Sequence, residues 1–264
     1  VPEGDALRRT AARLDAALTG RVLARAELRW PDAAGVDLVG RTVLGTRPYG
    51  KHLLTRLDDG RTLHTHLRMD GSWRVLPAGR PAPVSDPWVR AVLGTHEWLA
   101  LGQRLGMLDV LRTADEPRLL APLGPDVLDD DFPAAGLPGV LERWSADPRP
   151  AAEVLLDQGV QAGFGTIWTA EALFARRMWP WIPAREVADP ATLVMTGREL
   201  MARAVAALPD PRAHGRLGEP CVRCGTPIAV GAARPAPMER PVFFCRTCAP
   251  GPAGPTAPRY ARRP

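Results

Sequence analysis

Three groups of residues in this 264-residue chain have the side chains and spacing for chemistry. The first is "VPEGD", which opens the sequence. If Val1 stands for an alternative start codon and the initiator is removed, Pro2 becomes the first residue and carries a free secondary amine. An α-amino group has a pKa of about 7.7–8.0, so part of it is neutral and nucleophilic at pH 7. Nearby cations lower that pKa further. A secondary amine that condenses with an aldehyde-like carbon forms a charged iminium. That electron sink acidifies the adjacent carbon and promotes elimination. Glu3 stands beside it as a proton donor and acceptor. The plain alternative is an unstructured first few residues.

The second is Lys51, in "TRPYGKHLLTRL", the one lysine among 34 lysines and arginines. An arginine cannot lose its proton near neutral pH, whereas a desolvated lysine can, and a compact ammonium fits where a planar guanidinium does not. A residual lysine left by compositional bias is the plain alternative.

The third is the cysteine set. All four cysteines lie in "CVRC" and "CRTC", as Cys221, Cys224, Cys245 and Cys248. Two such knuckles bring four thiolates into a tetrahedron, the arrangement of a structural zinc site. Two redox dithiols are the alternative, but the βαβ context they need is missing.

Weaker signals accompany these. In "DQGVQAGFGTIWTAEALF" a glycine-rich turn joins two helical patterns, and Thr166 is a plausible N-cap. Backbone amides at such a helix start, Gly165 included, attract anions, as do many simple capped turns. His64 and His66 alternate onto one face of a strand. They read as hydrogen-bonded sheet histidines, because no third ligand is near in sequence.

These groups need elements to position them. Residues 5–19 carry Leu7, Ala11, Leu14 and Leu18 at helical spacing, with Gly20 as a stop. "HLLTRL" and "TLHTHLRM" flank the hairpin turn "DDGR". "WVRAVLG", "HEWLALG" and "GMLDVLRT" continue the β pattern to residue 113. Residues 114–140, rich in Pro, Gly and Asp, read as a linker. Helical patterns fill 141–213, the cysteine ribbon spans 214–250, and 251–264 reads as a disordered basic tail. The fold class is α+β with two domains. A formal charge of +5 points weakly to an anionic partner. No apolar run approaches the roughly 20 residues of a membrane span. With no signal peptide apparent, the expectation is a cytoplasmic, nucleoid-associated protein without a membrane partner, and a monomer by default.

Taken in order, "PEGD", "GKHLL", "HLRMDGSW", "LGPDVL", "LLDQ", "AGFGTIWTAEALF" and "GEPCVRCGTPI…FFCRTC" resemble the bacterial formamidopyrimidine-DNA glycosylase and endonuclease VIII family. The resemblance runs from Pro2 to about Cys248 and is greater to the endonuclease VIII branch. It implies an N-terminal β-sandwich with flanking helices, then a helix–two-turn–helix domain with a four-cysteine zinc ribbon. It also implies DNA in a cleft between them and an extruded damaged base. The implied activity is a bifunctional glycosylase and abasic-site lyase of base-excision repair, acting on oxidised bases, pyrimidines above purines, through a proline Schiff base and β,δ-elimination. By matching position, Pro2 is the nucleophile, Glu3 the acid/base and Lys51 a member of the catalytic set. Met69 fills the hole left by the flipped base, Gly165 and Thr166 sit at the backbone-binding turn, and Arg240 holds phosphate.

Departures from the family pattern matter. Thr166 stands where the family carries Asn. Gln103 and Leu105 of "QRLG" replace an Arg and a Phe, leaving Leu105 as the expected wedge. If Val1 stays attached, Pro2 is an amide and cannot attack. These departures keep two rivals in view: a family member that binds damaged DNA without cutting it, and a zinc-ribbon nucleic-acid module.

Overall fold

Leu7, Ala11, Leu14 and Leu18 form the buried stripe of a first helix, α1 (Gly4–Leu18). It closes at Gly20, whose φ of 74° suits a residue without Cβ. The computed structural model describes residues 2–252 and 254–256. The chain divides into two units, Val1–Pro122 and Leu123–Pro264.

In the first unit, eight strands build two antiparallel sheets. They are β1 (Arg25–Leu28), β2 (Val43–Tyr49), β3 (His52–Leu57), β4 (Arg61–His66), β5 (Ser72–Pro77), β6 (Val89–Gly94), β7 (Trp98–Gln103) and β8 (Met107–Arg112). One sheet runs β1-β6-β7-β5 and the other β2-β3-β4-β8. Leu53, Leu57, Leu63 and Leu108 from one sheet and Trp73, Ala91, Leu93 and Ala100 from the other share one core with the stripe of α1. This is a sandwich sealed by a helix, as the alternating apolar pattern requires. The hairpin between β3 and β4 turns at Gly60, φ 78°. β1 was not expected, because "RAEL" is half charged and too short to show a period. It is held as an edge strand by β6.

The unit ends in α2 (Glu116–Leu120). The buried Glu116 carboxylate accepts from Arg56 Nε at 2.9 Å and from Thr62 Oγ1 at 2.6 Å. Burial raises its pKa, but these donors outweigh it and hold the carboxyl below the usual range.

The second unit contains a π-helical turn (Phe132–Gly136), α3 (Leu137–Ala146), α4 (Ala151–Leu155), α5 (Thr166–Ala175), α6 (Pro190–Ala206) and a hairpin of β9 (Ala229–Ala232) and β10 (Pro241–Phe244). Residues 114–140 are therefore not a free linker. Their first part, through α2, belongs to one unit and the rest, with the π turn and the start of α3, to the other. Prolines at helix starts (Pro117, Pro133, Pro138) account for the misreading, since proline is well tolerated there.

The tail also differs from expectation. Pro252 C=O accepts from Trp179 Nε1 at 3.2 Å, and Pro255 C=O accepts from Ala232 N at 3.1 Å. A Cβ on Gly254 would meet the Trp181 ring at 2.4 Å. The tail as far as Thr256 therefore includes packed residues. Residue 253 and residues 257–264, on which the disordered-tail expectation also falls, lie outside the described residues.

Candidate active site and nucleic-acid interface

Pro2 is half-buried and leads directly into α1. Glu3 is the N-cap residue of that helix; its C=O accepts from Leu7 N at 3.1 Å and its side chain is buried. The helix dipole favours a carboxylate there. Asp5, also buried, pairs with Arg9 at 2.9 Å.

Lys51 lies in the two-residue turn between β2 and β3, where Tyr49 pairs with His52 and Gly50 has φ 55°. Strand pairing sets His52 opposite His66, and Leu54 opposite His64. Because side chains alternate along a strand, all three imidazoles share one face beside Lys51. His52 Nδ1 lies 2.8 Å from His64 Nε2, and the two rings stack at 5.0 Å. His66 meets His52 edge-on and its Nδ1 accepts from Arg68 N at 2.9 Å. Asp109 on β8 reaches His64 Nδ1 at 3.4 Å.

Burial first, and then the neighbouring imidazoles, Arg68 and Lys51, push His52 down to about 3. Burial, Arg68, Lys51 and His64 push His66 down to about 4. Burial also lowers His64, against the pull of Asp109. Three neutral imidazoles thus line the ground beside a cationic lysine. His52 was missed because the partner of an HxH pair came from the adjacent strand, which spacing alone cannot reveal. Among the described residues the only group able to hold a metal ion is the four cysteines.

Met69 stands in the turn after β4, 59% exposed. Leu105, the expected wedge, is 4% exposed and packs in the sandwich core; a Cβ on Gly102 would meet its Cδ1 at 2.7 Å. It cannot enter a base step. Gln103 ends β7, paired with Ser72. The apolar character that suggested a wedge is the same property that draws a leucine into a core.

In the second unit, the turn before α5 is tied from several sides. Gln158 Nε2 donates to Phe164 C=O at 2.9 Å, and Gly163 N donates to Gln158 Oε1 at 3.1 Å. The "LGPDVL" segment docks here: Ala162 N donates to Pro125 C=O at 2.9 Å and Val127 N to Ala162 C=O at 3.0 Å. A Cβ on Gly124 would sit 2.3 Å from Val160 C=O, so the segment needs glycine. The N-cap of α5 is Gly165, in extended backbone, and Thr166 is the first helical residue. The expectation of a threonine N-cap is corrected accordingly. With glycine there, backbone rather than a side chain faces the helix entrance.

Glu171, buried in α5, accepts from the amides of Arg212 at 3.0 Å and of Ala213 and His214 at 2.8 Å each. The His214 ring meets Phe243 of β10 at 5.0 Å. Arg240 is exposed at the end of the β9–β10 connection, its C=O accepting from Ala233 N at 2.7 Å. The four cysteine sulfurs lie within 4.8 Å of one another, with Sγ–Sγ distances of 3.4 Å (Cys224–Cys245), 3.5 Å (Cys248–Cys224) and 3.9 Å (Cys221–Cys248).

Comparison with known proteins adds to this geometry. Residues 1–112 match the family model for the formamidopyrimidine-DNA glycosylase N-terminal domain. The chain is 42% identical over 277 residues to "Probable endonuclease 8 2" of Streptomyces coelicolor, covering 100% of this chain and 99% of that protein. The chain belongs to the formamidopyrimidine-DNA glycosylase and endonuclease VIII family. It is also 36% identical, over 94% of its length and 98% of the relative's, to the DNA-(apurinic or apyrimidinic site) lyase Nei2 of Mycolicibacterium smegmatis. Among solved structures, the MutM protein of Thermus thermophilus aligns with a TM-score of 0.76 at 30% identity, covering 95% of this chain and 100% of that one. The Lactococcus lactis glycosylase bound to DNA with an abasic site aligns at 0.81 and 20% identity, with the same coverage, and supports the fold. Of the residues singled out from the sequence, the first unit carries Pro2, Glu3, Lys51 and Met69. The second carries Gly165, Thr166, Arg240 and the cysteines. No helix of the described residues is long and apolar enough to cross a membrane.

Proposed function

We propose that the chain is a bifunctional DNA glycosylase and abasic-site lyase acting on oxidised bases, pyrimidines above purines, as a monomer. The observation that carries this reading is a buried glutamate directly after Pro2 at the start of a core-packed helix, in a chain collinear with endonuclease 8 relatives.

The chemistry follows from the residues. With Val1 absent, the neutral Pro2 nitrogen attacks C1′ and the bond from C1′ to the damaged base breaks, the base leaving with a proton. The amine gives up its own proton, and Glu3 delivers one to O4′ as the sugar ring opens. The iminium draws electrons from C2′; loss of a C2′ proton expels the 3′ phosphate, and a second elimination expels the 5′ phosphate. Water then releases the sugar remnant. Lys51, a compact charge, holds phosphate or the flipped nucleotide and shares a proton. Met69 fills the vacated stack. Gly165, Thr166 and Arg240 bind backbone phosphate; Thr166 offers one hydroxyl where Asn would reach further.

The cysteines fit zinc. Four thiolates at about 2.3 Å from a tetrahedral ion stand about 3.8 Å apart, and the sulfurs here span a similar range. Bound zinc supplies structure, since four thiolates leave no coordination position for water.

The test is borohydride trapping on an abasic duplex, with the N-terminal mass measured on the same material. Protein that begins with Pro2 is expected to form a covalent adduct, and protein with a residue retained ahead of it is not. Lys51→Arg should lower excision although charge is kept, and Glu3→Gln should lower it by about 10²–10⁴-fold. No adduct from protein proven to begin at Pro2 would leave a DNA binder that does not cut.

A further inference from the structure

The connections after β4, β5 and β7 carry an exposed patch whose tryptophan and arginines the chemistry above does not use. A surface hollow of about 300 Å³ is lined by Arg68, Met69, Trp88, Arg90 and Arg104, with Asp70 as its one acid and Leu105 beneath. Trp88 is 51% exposed. The Arg104 guanidinium lies over its ring, 4.7 Å from the centroid, and Arg104 N donates to Trp88 C=O at 2.8 Å. Trp88 N donates to Asp86 Oδ1 at 2.8 Å, which fixes the other side of the same turn.

The backbone around the patch is built for this arrangement. Arg68 and Arg104 sit in the left-handed region, at φ 54° and 49°, where non-glycine residues are uncommon and point to a constrained loop. A Cβ on Gly106 would lie 1.9 Å from Arg68 Cγ, so the two loops interlock. Arg90 falls at a register shift between Val89 and Ala91 in β6, the type of bulge that re-aims a side chain. Arg68, two residues beyond His66, lies at the Lys51 end of the β2-β3-β4-β8 sheet, because His66 pairs with His52 beside Lys51.

A tryptophan held half-exposed by a guanidinium is a flat platform with little rotational freedom. Planar aromatic surfaces of that kind stack nucleobases whatever their sequence. The three arginines around it complement the phosphates on either side of such a base. A phosphate alone would need the arginines but not the indole. We infer that Trp88, backed by Arg104, is a stacking platform for one nucleobase of the bound DNA close to the lesion. It supplies the aromatic surface that Leu105, buried in the core, does not. The inference rests on the DNA-processing function proposed above.

The experiment uses the full chain and duplexes carrying a stable abasic analogue, with 2-aminopurine placed opposite it or at either neighbouring position. For one of these positions, binding of the wild type and of Trp88→Phe should quench the 2-aminopurine emission. Trp88→Leu and Trp88→Ala should lose that quenching and bind about tenfold more weakly. Their salt dependence should match the wild type, whereas Arg90→Gln should lower the salt slope by about 1. Quenching and affinity unchanged in both Trp88→Leu and Trp88→Ala would overturn the platform. So would a loss of affinity accompanied by a lower salt slope, which assigns Trp88 to phosphate contacts. Borohydride trapping of the wild type on a natural abasic duplex is read separately. Failure there removes the lyase reading and leaves the stacking result standing.

Discussion

His52, His64 and His66 tie the pH response of the protein to the β3–β4 strand pair. His52 faces His64, His66, Arg68 and Lys51, and His64 faces Asp109 across β8. The folded state holds His52 near 3 and His66 near 4, while the unfolded chain takes up protons near 6.5. Between those values the unfolded state binds more protons, so the contribution of these histidines to stability falls as the pH falls below 6.5 and is constant above it. Each histidine contributes a slope of up to about 1.4 kcal/mol per pH unit. Urea midpoints of the wild type should drop between pH 7 and pH 5, and those of His52→Gln should drop less. Equal drops would show that the cluster is not the source. At the same scale, the sequence indicated Lys51 by its uniqueness and His64 and His66 by their alternation, but not His52 or the placing of all three rings beside Lys51. Those come from pairing His52 with His66, a relation between residues 14 apart in number that only the strand register creates.

At the scale of elements, strong periodicity was legible and tight packing of small or polar segments was not. α1 and the strands β3, β4, β6, β7 and β8 follow from apolar repeats, which burial of one face enforces. β1, α2 and the docked tail were not visible, because each is short and owes its conformation to neighbours. The helix α5 shows why: Trp168 through Phe174 are buried all round, so no polar face marks its orientation. Gly197 of α6 lies against Phe164 in the turn before α5, where a Cβ would come within 2.3 Å of the ring, and that close approach lets α6 pack on the turn and on Ala172 of α5. Glu171 then fastens α5 to residues 212–214 through three amides. Glu171→Ala should cost about 3 kcal/mol, because buried amides lose a charged acceptor. Urea unfolding checks this; a loss below about 0.5 kcal/mol, the usual size for a neutral surface change, would count against the clamp.

At the scale of the whole molecule, the ribbon is not an appendage to the second unit. Cys221, Cys245, Ile228, Val242, Phe243 and Phe244 share one core with Phe164, Trp168 and Leu173. Metal binding by the cysteines, as proposed above, would therefore be coupled to the folding of that unit. Chelation should lower the melting temperature of the second unit and leave the first as a separate transition, since a chain of two units need not unfold in one step. Calorimetry with and without chelator decides it; a single unshifted transition would disconnect the cysteines from the core. The clasp of Trp179 and Trp181 by residues beyond the last cysteine has a practical consequence. Gly251, Pro252 and Gly254 cover indole surface that would otherwise meet water. Recombinant versions cut back to Cys248 would gain a greasy spot and a red-shifted emission. Affinity handles are therefore better appended after Pro264 than fused at the ribbon.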